Sequence, residues 1–186
     1  SVISRKDAVS TTWSGGTTTE FYLFPRDGSY KERRFDLRIS SATVDLEASD
    51  FTLLPDYQRI ITPLEGGFTL TYKETGEKVT LAPLEEDFFD GAYHTHSIGK
   101  AIDFNVMYKK GMHAAYSVIN ASKKFGLADF RFLYVPFIDA KDLTGSTLNE
   151  HSLTRDTLYV SDDRSDAFVL ALKKPVSLIY VSVRKA

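Results

Sequence analysis

Thr17-Thr18-Thr19-Glu20-Phe21-Tyr22-Leu23-Phe24-Pro25 runs into Arg26-Asp27-Gly28-Ser29 and then into Phe35-Asp36-Leu37-Arg38-Ile39-Ser40-Ser41-Ala42-Thr43-Val44. The first run is β-branched and aromatic and is closed by a proline, which cannot donate to a sheet ladder. The tetrapeptide is built of turn formers, and in the second run Phe35, Leu37 and Ile39 alternate with polar residues before Ala42 and Val44 change the phase. One β-bulge within 35–44 accounts for that change.

The same rhythm extends in both directions. Arg59–Leu64 is a strand, Phe68–Tyr72 and Lys78–Leu81 form a hairpin around Glu74-Thr75-Gly76-Glu77, and Ala101–Tyr108 follows. Beyond Gly111 come Tyr116–Asn120, Phe130–Phe137, Thr157–Val160, Ala167–Leu172 and Val176–Val183, the last two meeting at Lys173-Lys174-Pro175. Only Ser122–Asp129 and Ala140–Leu143 offer a helical turn or two. An all-β chain of this length closes its sheets into jelly rolls or barrels to protect their edges. The pattern weakens at Lys109-Lys110-Gly111, which divides the chain into halves 1–110 and 111–186, with strands that can be shared between them.

Composition excludes several functions. With 23 basic and 25 acidic residues the net charge is −2, and no block of charge asks for nucleic acid or an anionic membrane. There is no cysteine, so disulfides, thiolate ligands and a cysteine nucleophile are absent. No run approaches the ~18 apolar residues of a membrane span. The polar stretch Ser1–Ser10 has no apolar core of a leader, so a cytoplasmic location is expected. A near-zero charge and a β-rich surface permit a homodimer through a sheet edge.

Four constellations carry chemistry. Trp13-Ser14-Gly15-Gly16-Thr17-Thr18-Thr19-Glu20 is either a turn into an edge strand, with Trp13 plugging a barrel, or a ligand-lining corner. Alternation puts Arg38 with Asp36 and Ser40, opposite Leu37 and Ile39, which reads as a solvated face. Arg59 begins the apolar run Ile60-Ile61-Thr62-Pro63-Leu64, where a guanidinium needs a carboxylate to offset its desolvation, from the protein or from a ligand. Asp103 and Asn105 share a face with Met107; they either contact a ligand or tie down neighbouring loops. His94-Thr95-His96 has the two-residue spacing with which a strand can present both imidazoles to one metal. Gly91 is too close and no glutamate follows, so a hydrogen-bonded surface pair is the favoured reading and neither metal nor cofactor is expected.

In order and spacing these pieces resemble the HutD/Ves family: Trp-x-Gly-Gly-x-Thr-x-Glu at 13–20, Arg38-Ile39-Ser40-x-Ala42, Phe51-x-x-Leu54-Pro55-x-Tyr57-Gln58-Arg59, Leu64-Glu65-Gly66, Phe89-x-Gly91 and Asp103-Phe104-Asn105-Val106-Met107. The resemblance is carried by residues 8–110 and extends to the remainder only in length and strand rhythm. It implies a metal-free bicupin, two cupin-like jelly-roll halves with little helix, whose family name comes from histidine-utilisation genes. It further implies a regulatory small-molecule binder, with a urocanate- or formylglutamate-like carboxylate held by Arg59. In that reading Trp13, Thr18, Glu20, Arg38, Ser40, Asp103, Phe104 and Asn105 line the pocket. The alternative is a metal-independent isomerase or hydrolase with Asp103 or Glu20 as general base.

Overall fold

A computed structural model describes residues 1–186. In chain order the strands are β1 Val2–Ser4, β2 Val9–Trp13, β3 Gly16–Phe24, β4 Leu37–Val44, β5 Ala48–Asp50, β6 Tyr57–Gly66, β7 Phe68–Tyr72, β8 Lys78–Leu81, β9 Asp87–Asp90, β10 Thr95–Ile98 and β11 Ala101–Lys109. They continue with β12 His113–Ile119, β13 Lys123–Lys124, β14 Phe130–Val135, β15 Thr147–Leu148, β16 His151–Ser152, β17 Thr157–Ser161, β18 Val169–Ala171 and β19 Leu178–Arg184. Helix is confined to a 3-10 turn at Arg5–Asp7 and one α turn, α1, at Ala140–Leu143. No helix is long and apolar enough to cross a membrane. The segment 122–129 is not helical; it is β13 followed by loop.

The chain forms two compact units, Ala8–Lys110 and Gly111–Ala186, the second joined by Ser1–Asp7. The sequence reading kept residues 1–110 together, but β1 pairs antiparallel with β17, Val2 opposite Tyr159 and Ser4 opposite Thr157. Arg5 reinforces this, its Nε donating to Asp156 Oδ2 at 2.7 Å. Three short residues of strand carry too little pattern to reveal a distant partner.

Each unit is a two-sheet sandwich. In the first, a six-stranded sheet ordered β2-β3-β4-β11-β6-β9 and a four-stranded sheet ordered β5-β10-β7-β8 close on Ile61, Phe68, Leu70, Tyr72, Leu81, Phe89 and Ala101. In the second, β1-β17-β14-β19-β12 and β13-β18-β15-β16 close on a core that includes Phe125, Leu133, Tyr159, Phe168, Leu170 and Leu178. Both sheets of each core contribute, so neither sheet is stable without its partner. The bulge expected within β4 sits instead on its neighbour: pairing jumps between Glu20 and Tyr22 of β3, leaving Phe21 as the extra residue. A second register shift falls between Ile102 and Asp103 where β11 meets β6.

The glycine pair at 15–16 has a steric origin. A Cβ on Gly15 would sit 2.0 Å from the Trp13 ring, and one on Gly16 would sit 1.7 Å from the Thr43 carbonyl oxygen, with φ already at +150°. The hairpin β2–β3 therefore closes against β4 only with glycine at 16. Gly76 also has a positive φ, +71°, but nothing lies within 4 Å of its Cβ position. Gly16→Ala is expected to cost roughly 2–4 kcal/mol and Gly76→Ala only about 1. Urea unfolding of the two variants measures the difference, and equal costs would refute the steric account.

Candidate functional site

The inner face of the six-stranded sheet follows from register. Met107 of β11 lies opposite Arg38 of β4 on one side and opposite Arg59 of β6 on the other, so the three side chains form one row. Asn105 lies opposite Ser40 and Ile61 in the next row. Two strand spacings separate the arginines, about 9–10 Å between Cα atoms. Arg38, Arg59, Met107, Ser40 and Asn105 border a cavity of about 140 Å³, together with Trp13, Thr18, Tyr30, Ala42, Val44, Asp50, Phe51, Thr52 and Asp103.

Arg38 does not face solvent as alternation suggested; it is only 7% exposed. β4 is covered on both faces, so the polar side of its pattern marks the cavity and not water. Its Nε donates to Glu20 Oε1 at 2.8 Å, and its guanidinium lies 3.8 Å from the Tyr30 ring centroid. The two terminal nitrogens of Arg38 make no hydrogen bond within the chain.

Arg59 is 5% exposed and is held more loosely. Nη1 donates to the Thr52 carbonyl and Nη2 to Asn105 Oδ1, each at 3.3 Å, and Nε is buried without a partner. The rings of Phe51 and Phe89 flank the guanidinium at 5.3 and 5.2 Å. Burial lowers the Arg59 pKa to about 10; Tyr30 and Asp103 oppose that fall, while the like charge of Arg38 adds to it. The group is still a cation at neutral pH, and its desolvation is a standing cost to the fold.

Asp103, 3% exposed, accepts from the Ala42 amide at 2.8 Å, and its backbone carbonyl accepts from the Ser41 hydroxyl at 2.5 Å. Glu20 borders Arg38 without lining the cavity. Phe104, expected to pack against a ligand, is buried on the opposite face of β11 from Asp103 and Asn105 and does not line the cavity. Trp13, at 38% exposure, stands at the mouth, and its ring lies across Gly15. Tyr30, Phe51 and Thr52 come from loops. Phe51 was visible only as part of a quoted motif, and Tyr30 carried no periodic signal.

His94 and His96 are separated by their partners. Nδ1 of His94 meets Glu74 Oε2 at 2.6 Å, and Nδ1 of His96 meets Asp50 Oδ1 at 2.9 Å. Each hydrogen bond holds the carboxylate below its ordinary pKa. Neither histidine lines the cavity, and no three His, Cys, Asp or Glu side chains gather as a metal site.

No curated protein sequence matches the chain. Among solved structures, HutD from Pseudomonas fluorescens SBW25 (formate condition) matches with a TM-score of 0.81 at 22% identity, over 100% of this chain and 98% of that one. The conserved protein of unknown function PA5104 from Pseudomonas aeruginosa PAO1 matches with the same figures. Bacterial pirin YhhW from Escherichia coli, in complex with nickel(II), matches at 0.67 with 9% identity over 100% and 99% of the two chains. Oxalate decarboxylase of Bacillus subtilis, with Mn(II) centres, reaches 0.61 at 8% identity over 99% of this chain and 76% of that one.

These likenesses establish a cupin-like β fold. The cavity lining here holds two aspartates and no histidine, and no three His, Cys, Asp or Glu side chains gather at it. The HutD family profile matches residues 5–178. With that span covering nearly the whole chain, the protein belongs to the HutD family.

Proposed function

We propose that the N-terminal unit binds a small carboxylate metabolite between Arg59 and Arg38, as a regulatory sensor and not as an enzyme. The observation that carries this reading is the pair of buried guanidiniums with unpartnered N–H groups, Nε of Arg59 and both terminal nitrogens of Arg38, beside one cavity. A carboxylate accepts several such bonds at once and removes the like-charge strain between the two arginines. Thr18, Ser40 and Asn105 add polar contacts, and Met107, Phe51, Tyr30 and Trp13 form the apolar and aromatic walls.

Volume narrows the ligand. A cavity near 140 Å³ is about the size of one that holds a single benzene ring. It accommodates a flat monocarboxylate of the urocanate kind, its acid group inward and its ring toward Trp13, better than a branched formylglutamate-like diacid. The two carboxylates that a metal-independent enzyme would use are otherwise engaged: Glu20 holds Arg38, and Asp103 holds the Ala42 amide. That supports binding over general-base catalysis.

Calorimetric titration with urocanate, formylglutamate and acetate is the test. Urocanate is expected to bind most tightly, and Arg59→Met to weaken it by about 1.5–3 kcal/mol, roughly 10–150-fold. Arg38→Met is expected to weaken it in the same direction. Urocanate affinity indifferent to both substitutions would sink the proposal, whereas tighter formylglutamate binding would overturn only the choice of ligand.

A stability consequence separates function from folding. Because Arg59 is desolvated and underbonded, ligand-free Arg59→Met is expected to unfold within about 1 kcal/mol of the wild type, or above it. Thermal unfolding without ligand checks this, and a collapse of the variant would show that Arg59 serves the fold.

A further inference from the structure

We propose that the C-terminal unit holds a second binding site, for a small dianion, formed by His113 and Arg184 with Lys123, Tyr180 and Ser182. This site is independent of the Arg59 cavity.

A cavity of about 330 Å³ opens here, and no Asp or Glu is among the residues that line it. His113 of β12 and Arg184 of β19 are direct cross-strand partners, and Ala115 pairs with Ser182 two residues deeper. Two basic side chains placed opposite each other weaken a strand pair when both are charged, so the fold gains nothing from this arrangement. None of His113, Lys123 and Arg184 makes an ion pair; the Lys123 ammonium lies 5.7 Å from the centroid of the Phe125 ring. The hydroxyls of Tyr180 and Ser182 also have no hydrogen-bond partner within the chain.

A buried cation underlies the same cavity. Arg131 of β14 is 0% exposed and pairs across the sheet with Ser182. Its Nη1 reaches the carbonyl of Gly126, a lining residue, at 3.4 Å, while its Nε is buried without a partner. Burial raises the Tyr180 phenol pKa, and the charge of Arg131 acts against that rise, which places the guanidinium's field at the cavity. The polar side chains of the walls are therefore hydroxyls and bases, with no carboxylate among them to repel an anion.

Size and shape point to an organic dianion. Phe125 and Tyr180 stack at 4.0 Å with 17° between their planes, giving a flat apolar ledge beside the basic rim. A phosphate monoester or a dicarboxylate presents the required two negative charges, with a carbon skeleton that can rest on the ledge.

The test is titration of the intact chain at low ionic strength with phenyl phosphate, succinate, inorganic phosphate and acetate. Dianions are expected to bind at least tenfold more tightly than acetate at this site. Lys123→Ala with Arg184→Ala is expected to weaken them at least tenfold while leaving thermal unfolding unchanged, since both side chains are exposed. Arg59→Met is expected to leave dianion binding intact. A preference for phenyl phosphate identifies a phosphate ester, and a preference for succinate identifies a dicarboxylate. The proposal is overturned if dianions bind no better than acetate, if the double variant binds as wild type does, or if binding is lost in Arg59→Met.

Discussion

The antiparallel registration of β11 between β4 and β6 sets two guanidiniums on the inner face of one sheet with a single methionine between them. Everything else in the N-terminal cavity answers the problem this creates. Two like charges removed from water repel each other and lose hydration, and no single ion pair neutralises both. Arg38 is relieved by Glu20 and by the Tyr30 face; Arg59 is relieved by two long hydrogen bonds, two flanking rings and the more distant field of Asp103, with no ion pair of its own. The residual demand for an acceptor at Arg59 is thus a property of the register and not of one loop conformation.

The register shift at Ile102/Asp103 matters for the same reason. A strand shifted by one residue presents its other face, so irregularities decide which side chains enter a barrel. Here the extra residue is Leu64 of β6, so the shift sets which β6 side chains stand beside Asp103, Asn105 and Met107, while alternation along β11 turns Phe104 away. Asp103 supplies a negative field that partly sustains Arg59, while its carboxylate is occupied by the Ala42 amide.

Strand periodicity made much of this legible before any coordinates. The co-facing of Asp103, Asn105 and Met107 needs only alternation, and the buried setting of Arg59 follows from the apolar run after it. What alternation does not carry is the identity of each face. β4 is buried on both sides, so the rule that polar means solvated points Arg38 outward, and alternation within Asp103–Met107 turns Phe104 away from the face that Asp103 and Asn105 share. Tyr30, Asp50 and Thr52 reach the cavity from loops or a three-residue strand, where no period exists. The rim at His113, Lys123 and Arg184 was invisible because its members are some 10 to 70 residues apart and each looks like an ordinary solvated base; only the pairing of β12 with β19 brings the outer two together.

The two units solve the same physical problem differently, and the contrast bears on which arginine is available to a ligand. Arg131, like Arg59, is a buried guanidinium with an unpartnered Nε and a phenyl ring near 5.3 Å. Its Nη2, however, donates to the Ser161 hydroxyl at 3.0 Å and to the carbonyls of Asp163 and Asp166 at 3.2 and 2.6 Å. The loop after β17 folds back and supplies the acceptors, so the chain itself holds Arg131 in place and the exposed bases above it are left to meet an anion. The loop beside Arg59 supplies one acceptor, the Thr52 carbonyl, and Asn105 of β11 the other, each at 3.3 Å. A buried cation provided with so few internal acceptors is a standing cost that the packing of the surrounding sheet offsets, and under the proposed binding role a site already built in the fold would spare a ligand the cost of ordering it.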